Sequence, residues 1–221
     1  MKFVKTTSSE VVVGYLSGVL RRKLAAGDSV LWLVPGGSAI AVAAQVAKEL
    51  QGLNLQKLTV TLTDERYGEL GHHDSNWQQL HAADFHLPGA TMVPVLHGHD
   101  PQDTTKEFAN HLQEYCQAAD YCLGFLGMGA DGHTAGILPH SPAVTEQSWA
   151  ASYEGPDFLR VTATPVALSA LDEAVVYAMG ESKLDALTKL QQTIPLEEEP
   201  AQILKKVPTV TVFNDQIGDP A

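Results

Sequence analysis

Cysteine is scarce in this 221-residue sequence, with only Cys116 and Cys122 present. One bridge could not staple a fold of this size, so both are expected as reduced thiols in a cytoplasmic protein. No apolar run approaches the ~20 residues that span a bilayer, and no membrane association is expected. The N-terminus, Met1-Lys2-Phe3-Val4-Lys5, has neither the apolar stretch nor the small-residue cleavage site of a signal peptide.

Positive charge is also short. Lys and Arg number 14 against 26 Asp and Glu, a formal net charge of -12. Nucleic acid and anionic membranes both demand a basic footprint, so neither is an expected partner. A small anionic substrate remains compatible if a few placed cations and backbone N–H groups meet it. Each basic residue is therefore informative. Most, such as Arg21, Arg22, Lys23 and Lys189, sit on helix faces that solvent explains. Arg66, Arg160 and Lys183 lie in more constrained settings.

What is present is an ordinary globular composition, 44% hydrophobic and 18% charged, on a length that suits one α/β domain over residues 1–221. No repeat, low-complexity tract or linker interrupts it. Ser8 or Ser9 is placed to cap a helix reaching Ala26, closed by Gly27-Asp28. Ser29–Val34 and Lys57–Leu62 read as buried strands, and Ala39–Leu50 as a helix between them. Asp74 or Ser75 is placed to cap a helix through Asp84, and Asp103 or Thr104 one through Ala118. Further strands are predicted at Tyr121–Leu126, Arg160–Thr164, Ala174–Met179 and Val207–Phe213, with a helix at Ser182–Gln192. Ile194–Pro200, three acids bracketed by prolines, reads as an exposed loop. Alternating strands and helices predict a mostly parallel sheet covered by helices on both faces, with ligands outside the carboxyl ends of the strands.

Four segments carry chemistry, and each follows a predicted strand. Pro35-Gly36-Gly37-Ser38 turns without Cβ interference and opens a helix, where free N–H groups and the dipole favour a phosphate. A plain turn whose serine only caps the helix fits the same residues. Thr63-Asp64-Glu65-Arg66, with Ser75-Asn76 beyond it, puts charges near a core; the arginine fork suits a phosphate or carboxylate, or Asp and Arg pair with each other in an exposed turn. Gly127–Gly132 matches G-x-G-x-x-G, but Pro139 and Pro142 deny it the long helix of a dinucleotide site. What remains is a glycine-rich loop presenting Asp131 and His133, a carboxylate that orients an imidazole able to move protons near neutrality. In Gly180-Glu181-Ser182-Lys183 the lysine opposes the dipole of the helix it begins, as an anion-binding group would.

His72-His73-Asp74 and His97-Gly98-His99-Asp100 have metal-like spacings in polar loops; solvated side chains are expected there, and no metal.

Together and in order, these segments resemble the 6-phosphogluconolactonase family. Leu126–Pro139 (LGMGADGHTAGILP) is similar to that family's LGMGxDGHTASLFP signature. Asp64-Glu65-Arg66 with Ser75-Asn76, Gly36-Gly37-Ser38, Arg160-Val161-Thr162 and Gly180-x-x-Lys183 resemble its remaining elements. The resemblance implies a Rossmann-like layered fold and hydrolysis of 6-phospho-D-glucono-1,5-lactone, without a cofactor. It implies His133 as general base, Asp131 as its orienting partner and Arg66 as a catalytic cation. Gly36, Gly37, Ser38 and Lys183 are then expected to hold the phosphate, with Asp64, Asn76, Gly129 and Arg160 also against the substrate. Pro35, Ala39-Ile40 and Gly136-Ile137 depart from the family pattern and bear on the pocket floor. The related glucosamine-6-phosphate deaminases carry a glutamate where this chain has Leu138, which favours the lactonase. A deaminase and a non-catalytic sugar-phosphate sensor are the alternatives. Oligomeric state has no signature in the sequence.

Overall fold

The computed structural model describes residues 1–219. Its elements alternate along the chain: β1 (Lys2–Lys5), α1 (Ser9–Ala26), β2 (Val30–Val34), α2 (Ile40–Glu49), β3 (Leu58–Leu62), β4 (Asp64–Arg66), α3 (Asn76–Ala82) and β5 (Thr91–Met92). Then come α4 (Pro101–Ala118), β6 (Tyr121–Gly127), β7 (Ala150–Glu154), β8 (Leu159–Ala163), α5 (Pro165–Ser169), β9 (Glu173–Ala178), α6 (Leu184–Leu190) and β10 (Thr209–Asn214).

The main sheet has seven strands in the order β1-β10-β9-β6-β2-β3-β5. Every pairing in it is parallel. All five residues of β2 are buried, Trp32 among them. Successive side chains of a strand point to opposite faces, so helices must cover both. The chain leaves β2 toward β3 and β5, then crosses back to lay β6 on the other side of β2. That reversal opens a crevice between the loops after β2 and β6, the usual position for a ligand in such sheets.

Local chemistry accounts for some boundaries. Gly27 ends α1 in the left-handed region, φ 87°, donating back to Leu24 and Lys23 carbonyls. Ser75 caps α3, its Oγ accepting from the Gln78 N–H at 3.1 Å.

Several sequence expectations are corrected. The cap of α4 is Asp100, not Asp103 or Thr104; its carboxylate accepts from the Gln102 and Asp103 N–H groups. Pro101 occupies the first helical turn, where its missing N–H is harmless, so the helix starts earlier than polar residues alone suggest. Arg160–Thr164 does not join the main sheet. As β8 it pairs antiparallel with β4 and β7 in a separate three-stranded sheet. The expected exposed loop at Ile194–Pro200 is only partly exposed: Glu199 is 1% accessible and Pro200 is buried. A run of acids reads as solvated, but tertiary packing folded the last one inward.

Cys116 and Cys122 are free thiols with sulfurs 2.9 Å apart. No helix among the described residues is long and apolar enough to cross a membrane.

Candidate active site

At the carboxyl ends of four neighbouring strands, β9, β6, β2 and β3, lies a cleft of about 180 Å³. Every residue expected to act on or hold the substrate, except Asp131, borders it: Gly36, Gly37, Ser38, Asp64, Arg66, Asn76, Gly129, His133, Arg160 and Lys183. Asp131 sits behind, bonded to His133. A wider groove of about 760 Å³ between α4 and β7 has only Lys106 and Glu146 as charged lining, and their charges oppose. Convergent chemistry lies in the smaller cleft and not in this groove.

His133 Nδ1 is 2.6 Å from Asp131 Oδ1, and the His133 backbone N–H donates to the same oxygen at 3.2 Å. The hydrogen bond from His133, more than any other influence, holds the Asp131 pKa down to about 2. Asp131 is therefore ionised near neutrality and can only accept, which puts a ring proton on Nδ1, so that in the neutral imidazole the lone pair is on Nε2. The loop is built for this contact. A Cβ on Gly129 would collide with both the imidazole and the carboxylate. The Gly129 N–H closes the turn on the His133 carbonyl at 2.8 Å.

Arg66 and Arg160 are direct cross-strand partners in the β4–β8 ladder. Like charges in that relation repel. Neither arginine, nor Lys183, forms an ion pair among the described residues. Arg66 Nη1 donates to the Asp74 carbonyl at 3.1 Å, with its guanidinium 4.9 Å from the Phe158 ring. The Arg160 Nε is buried without an acceptor. Lys183 stands in a 3-10 turn, Glu181–Lys183, just ahead of α6 rather than inside its first turn. Three cations thus converge on one cleft of an acidic chain. The turn Gly37–Ala39 leads into α2 from the same side, with Ser38 exposed and Gly37 at φ 66°. Its leading N–H groups have no helical acceptor and are available to an anion.

The two acids after β3 divide sharply. Glu65 is fully buried and accepts from Arg66 N, Ser75 Oγ, Asn76 N and Trp77 N at 2.6–3.1 Å. It ties α3 to β4 and takes no part in the cleft. Asp64 does border the cleft, with Thr63 Oγ1 donating to it at 2.9 Å. Burial pushes its pKa up, opposed by the Thr63 bond and then by the charges of Arg160, His133 and Arg66. Asn76 donates to the Asp64 carbonyl at 2.9 Å, while its Oδ1 is buried without a donor. Its amide fills the space a Cβ on Gly36 would need, so that glycine is required for close approach.

Gly136, read from the sequence only as a departure bearing on the pocket floor, does border the cleft, and its contact with Asp64 was not foreseen. It holds φ 70°, and a Cβ there would lie 2.8 Å from Asp64 Oδ2. A glycine beyond a strand loop was the available signal; its partner was not visible. The histidines at 72–73 and 97–99 stay outside the cleft. Among the described residues no cluster of His, Cys, Asp and Glu is arranged to hold a metal.

A family model described as glucosamine-6-phosphate isomerases/6-phosphogluconolactonase matches residues 5–213. The chain belongs to that family. It is similar both to 6-phosphogluconolactonases and to glucosamine-6-phosphate deaminases. A 6-phosphogluconolactonase of Pseudomonas aeruginosa is 30% identical over 186 residues, 78% of this chain and 76% of that protein. A glucosamine-6-phosphate deaminase of Lactobacillus johnsonii is 26% identical over 220 residues, 90% of this chain and 88% of its own length. The crystal structure of a 6-phosphogluconolactonase from Shewanella baltica superposes with a TM-score of 0.82 at 21% identity, covering 96% of each chain. That last likeness establishes the family's α/β fold here.

Proposed function

We propose that this chain is a 6-phosphogluconolactonase, hydrolysing 6-phospho-D-glucono-1,5-lactone to 6-phosphogluconate, and that residues 1–221 act as one sugar-phosphate-binding domain. One arrangement carries the reading: an Asp131–His133 pair, beside three cations that form no ion pair among the described residues, in a single cleft.

The phosphate sits on the N–H groups of Gly37 and Ser38, with Lys183 and one guanidinium supplying charge. His133 Nε2 takes a proton from water as the oxygen attacks the lactone carbonyl carbon. The imidazolium formed is stabilised by ionised Asp131. Charge that develops on the carbonyl oxygen needs a prearranged donor, and Arg66 or a backbone N–H of the Gly-rich loop supplies it. Collapse breaks the bond from the carbonyl carbon to the ring oxygen, which receives the proton back from His133. The route calls for no cofactor.

A deaminase reading has one specific support. Asp64 is a buried acid at the cleft whose pKa burial raises, and such a group suits proton transfer between sugar carbons. Leu138, where the deaminases carry a glutamate, weighs against it. A pure sensor has no use for an oriented imidazole.

The deciding assay compares hydrolysis of freshly made lactone by wild type and His133→Ala against the spontaneous rate. A ~10²–10⁴-fold loss in the variant is expected. A folded wild type no faster than background would overturn the proposal, and ammonia release from glucosamine 6-phosphate would then identify the deaminase.

A further inference from the structure

Glu199 does not border the cleft, yet it lies directly behind the loop that carries Asp131 and His133. It is 1% accessible, with Oε2 accepting from Gln202 Nε2 at 2.6 Å and Oε1 lacking any donor. Burying a carboxyl group this thinly hydrogen-bonded is unfavourable. An apolar side chain would fill the same space without that penalty, so packing alone is a poor account of it.

Its contact is with Gly132, the residue between Asp131 and His133. A Cβ on Gly132 would come within 2.5 Å of Glu199 Cγ and 3.3 Å of Oε1. Gly132 itself is held at φ 80°, a conformation other residues rarely adopt. The same segment grips the loop through its backbone: the Ala201 N–H donates to the Gly132 carbonyl at 2.9 Å, and the His140 N–H to the Glu197 carbonyl at 2.8 Å. Glu199 is anchored in turn. Gln202 Nε2 also reaches the Lys189 carbonyl at 3.0 Å, and Lys205 Nζ donates to Gln202 Oε1 at 2.7 Å. A side chain fixed at its far end thus presses on the one peptide whose geometry sets the distance from Asp131 to His133.

We propose that Glu199 is a positioning residue for the Asp131–His133 pair, acting through Gly132. It rests on the reading of His133 as the base. It touches neither substrate nor the reacting atoms. Without it, Gly132 gains freedom on its buried side and the imidazole loses its fixed orientation, while the phosphate subsite, built on other strands, is unchanged.

The test uses Glu199→Ala and Glu199→Gln in the full chain, with two readouts. The first is the downfield proton resonance of the His133 ring N–H bonded to Asp131, identified by its loss in His133→Ala. The second is the pair of constants for lactone hydrolysis. In folded Glu199→Ala the resonance broadens or disappears, and kcat falls about 10- to 100-fold with KM within about twofold. Glu199→Gln, of the same volume and still able to accept from Gln202, restores both. An alanine variant with the wild-type resonance and kcat overturns the proposal, as does a glutamine variant that restores neither. If the alanine variant does not fold, Gln202→Leu frees the Glu199 carboxyl and is expected to weaken the same resonance; an unaltered signal there counts against the proposal. The resonance needs no substrate, so a wild type inactive on lactone sinks the proposed function while leaving this arm to be read.

Discussion

Arg66 and Arg160 face one another across the β4–β8 ladder, 94 positions apart in sequence and paired as direct cross-strand neighbours. Two guanidiniums in that relation, with no carboxylate paired to either among the described residues, are a stability defect unless an anion is bound between or beside them. The small antiparallel sheet exists in the right place to create that defect at the mouth of the cleft.

Removing one of the two should therefore separate stability from function. Arg160→Leu is expected to leave thermal stability unchanged or slightly raised, by up to about 1 kcal/mol, while weakening product binding at least about tenfold. Calorimetric titration with 6-phosphogluconate alongside thermal unfolding measures both. Unimpaired binding would remove Arg160 from the substrate site.

Asp131 gives a pH-dependent signature. Its carboxyl is held down to about 2, against an ordinary value near 3.9. A depressed pKa in the folded state contributes stability above the unfolded value, and that contribution is lost as pH falls through the folded one. The loss should therefore run from about pH 4 to about pH 2. The side chain is 50% exposed, and solvent screening keeps the effect below about 1 kcal/mol. The difference in unfolding temperature between wild type and Asp131→Asn should narrow from about pH 5 to about pH 2.5. A constant difference would mean that the pair adds nothing to the fold.

Gly129→Ala tests the proposed base without touching it. The added Cβ cannot coexist with the present positions of the imidazole and the carboxylate. A fall in kcat of about 100-fold with little change in KM is expected, in a protein that still unfolds cooperatively. Wild-type kcat would show that the ring does not need this orientation.

Glu65 should matter to stability first. Glu65→Ala strands four donors that now meet the carboxylate. Urea denaturation should register a loss of about 3 kcal/mol or more. A loss below about 1 kcal/mol would mean that water replaces the carboxylate there.

The sequence by itself determined the alternation of elements and the positions of the loops that carry chemistry. Unbroken apolar runs such as Ser29–Val34 record burial on both faces, Gly27 records a left-handed helix end, and the Leu126–Pro139 segment records its family. These signals are local, written in neighbouring residues. Only the tertiary structure decided how distant segments meet. It separated Asp64 from Glu65, adjacent residues of one short strand, because alternate side chains of a strand face opposite ways and only one faces the cleft. It also paired Arg66 with Arg160, and it folded Glu199 out of an acidic run to press on Gly132. Charge and periodicity report what a residue prefers in water. Which neighbour it finally meets depends on strand pairing and core closure over long sequence separations, and those relations leave no mark on the residues one at a time.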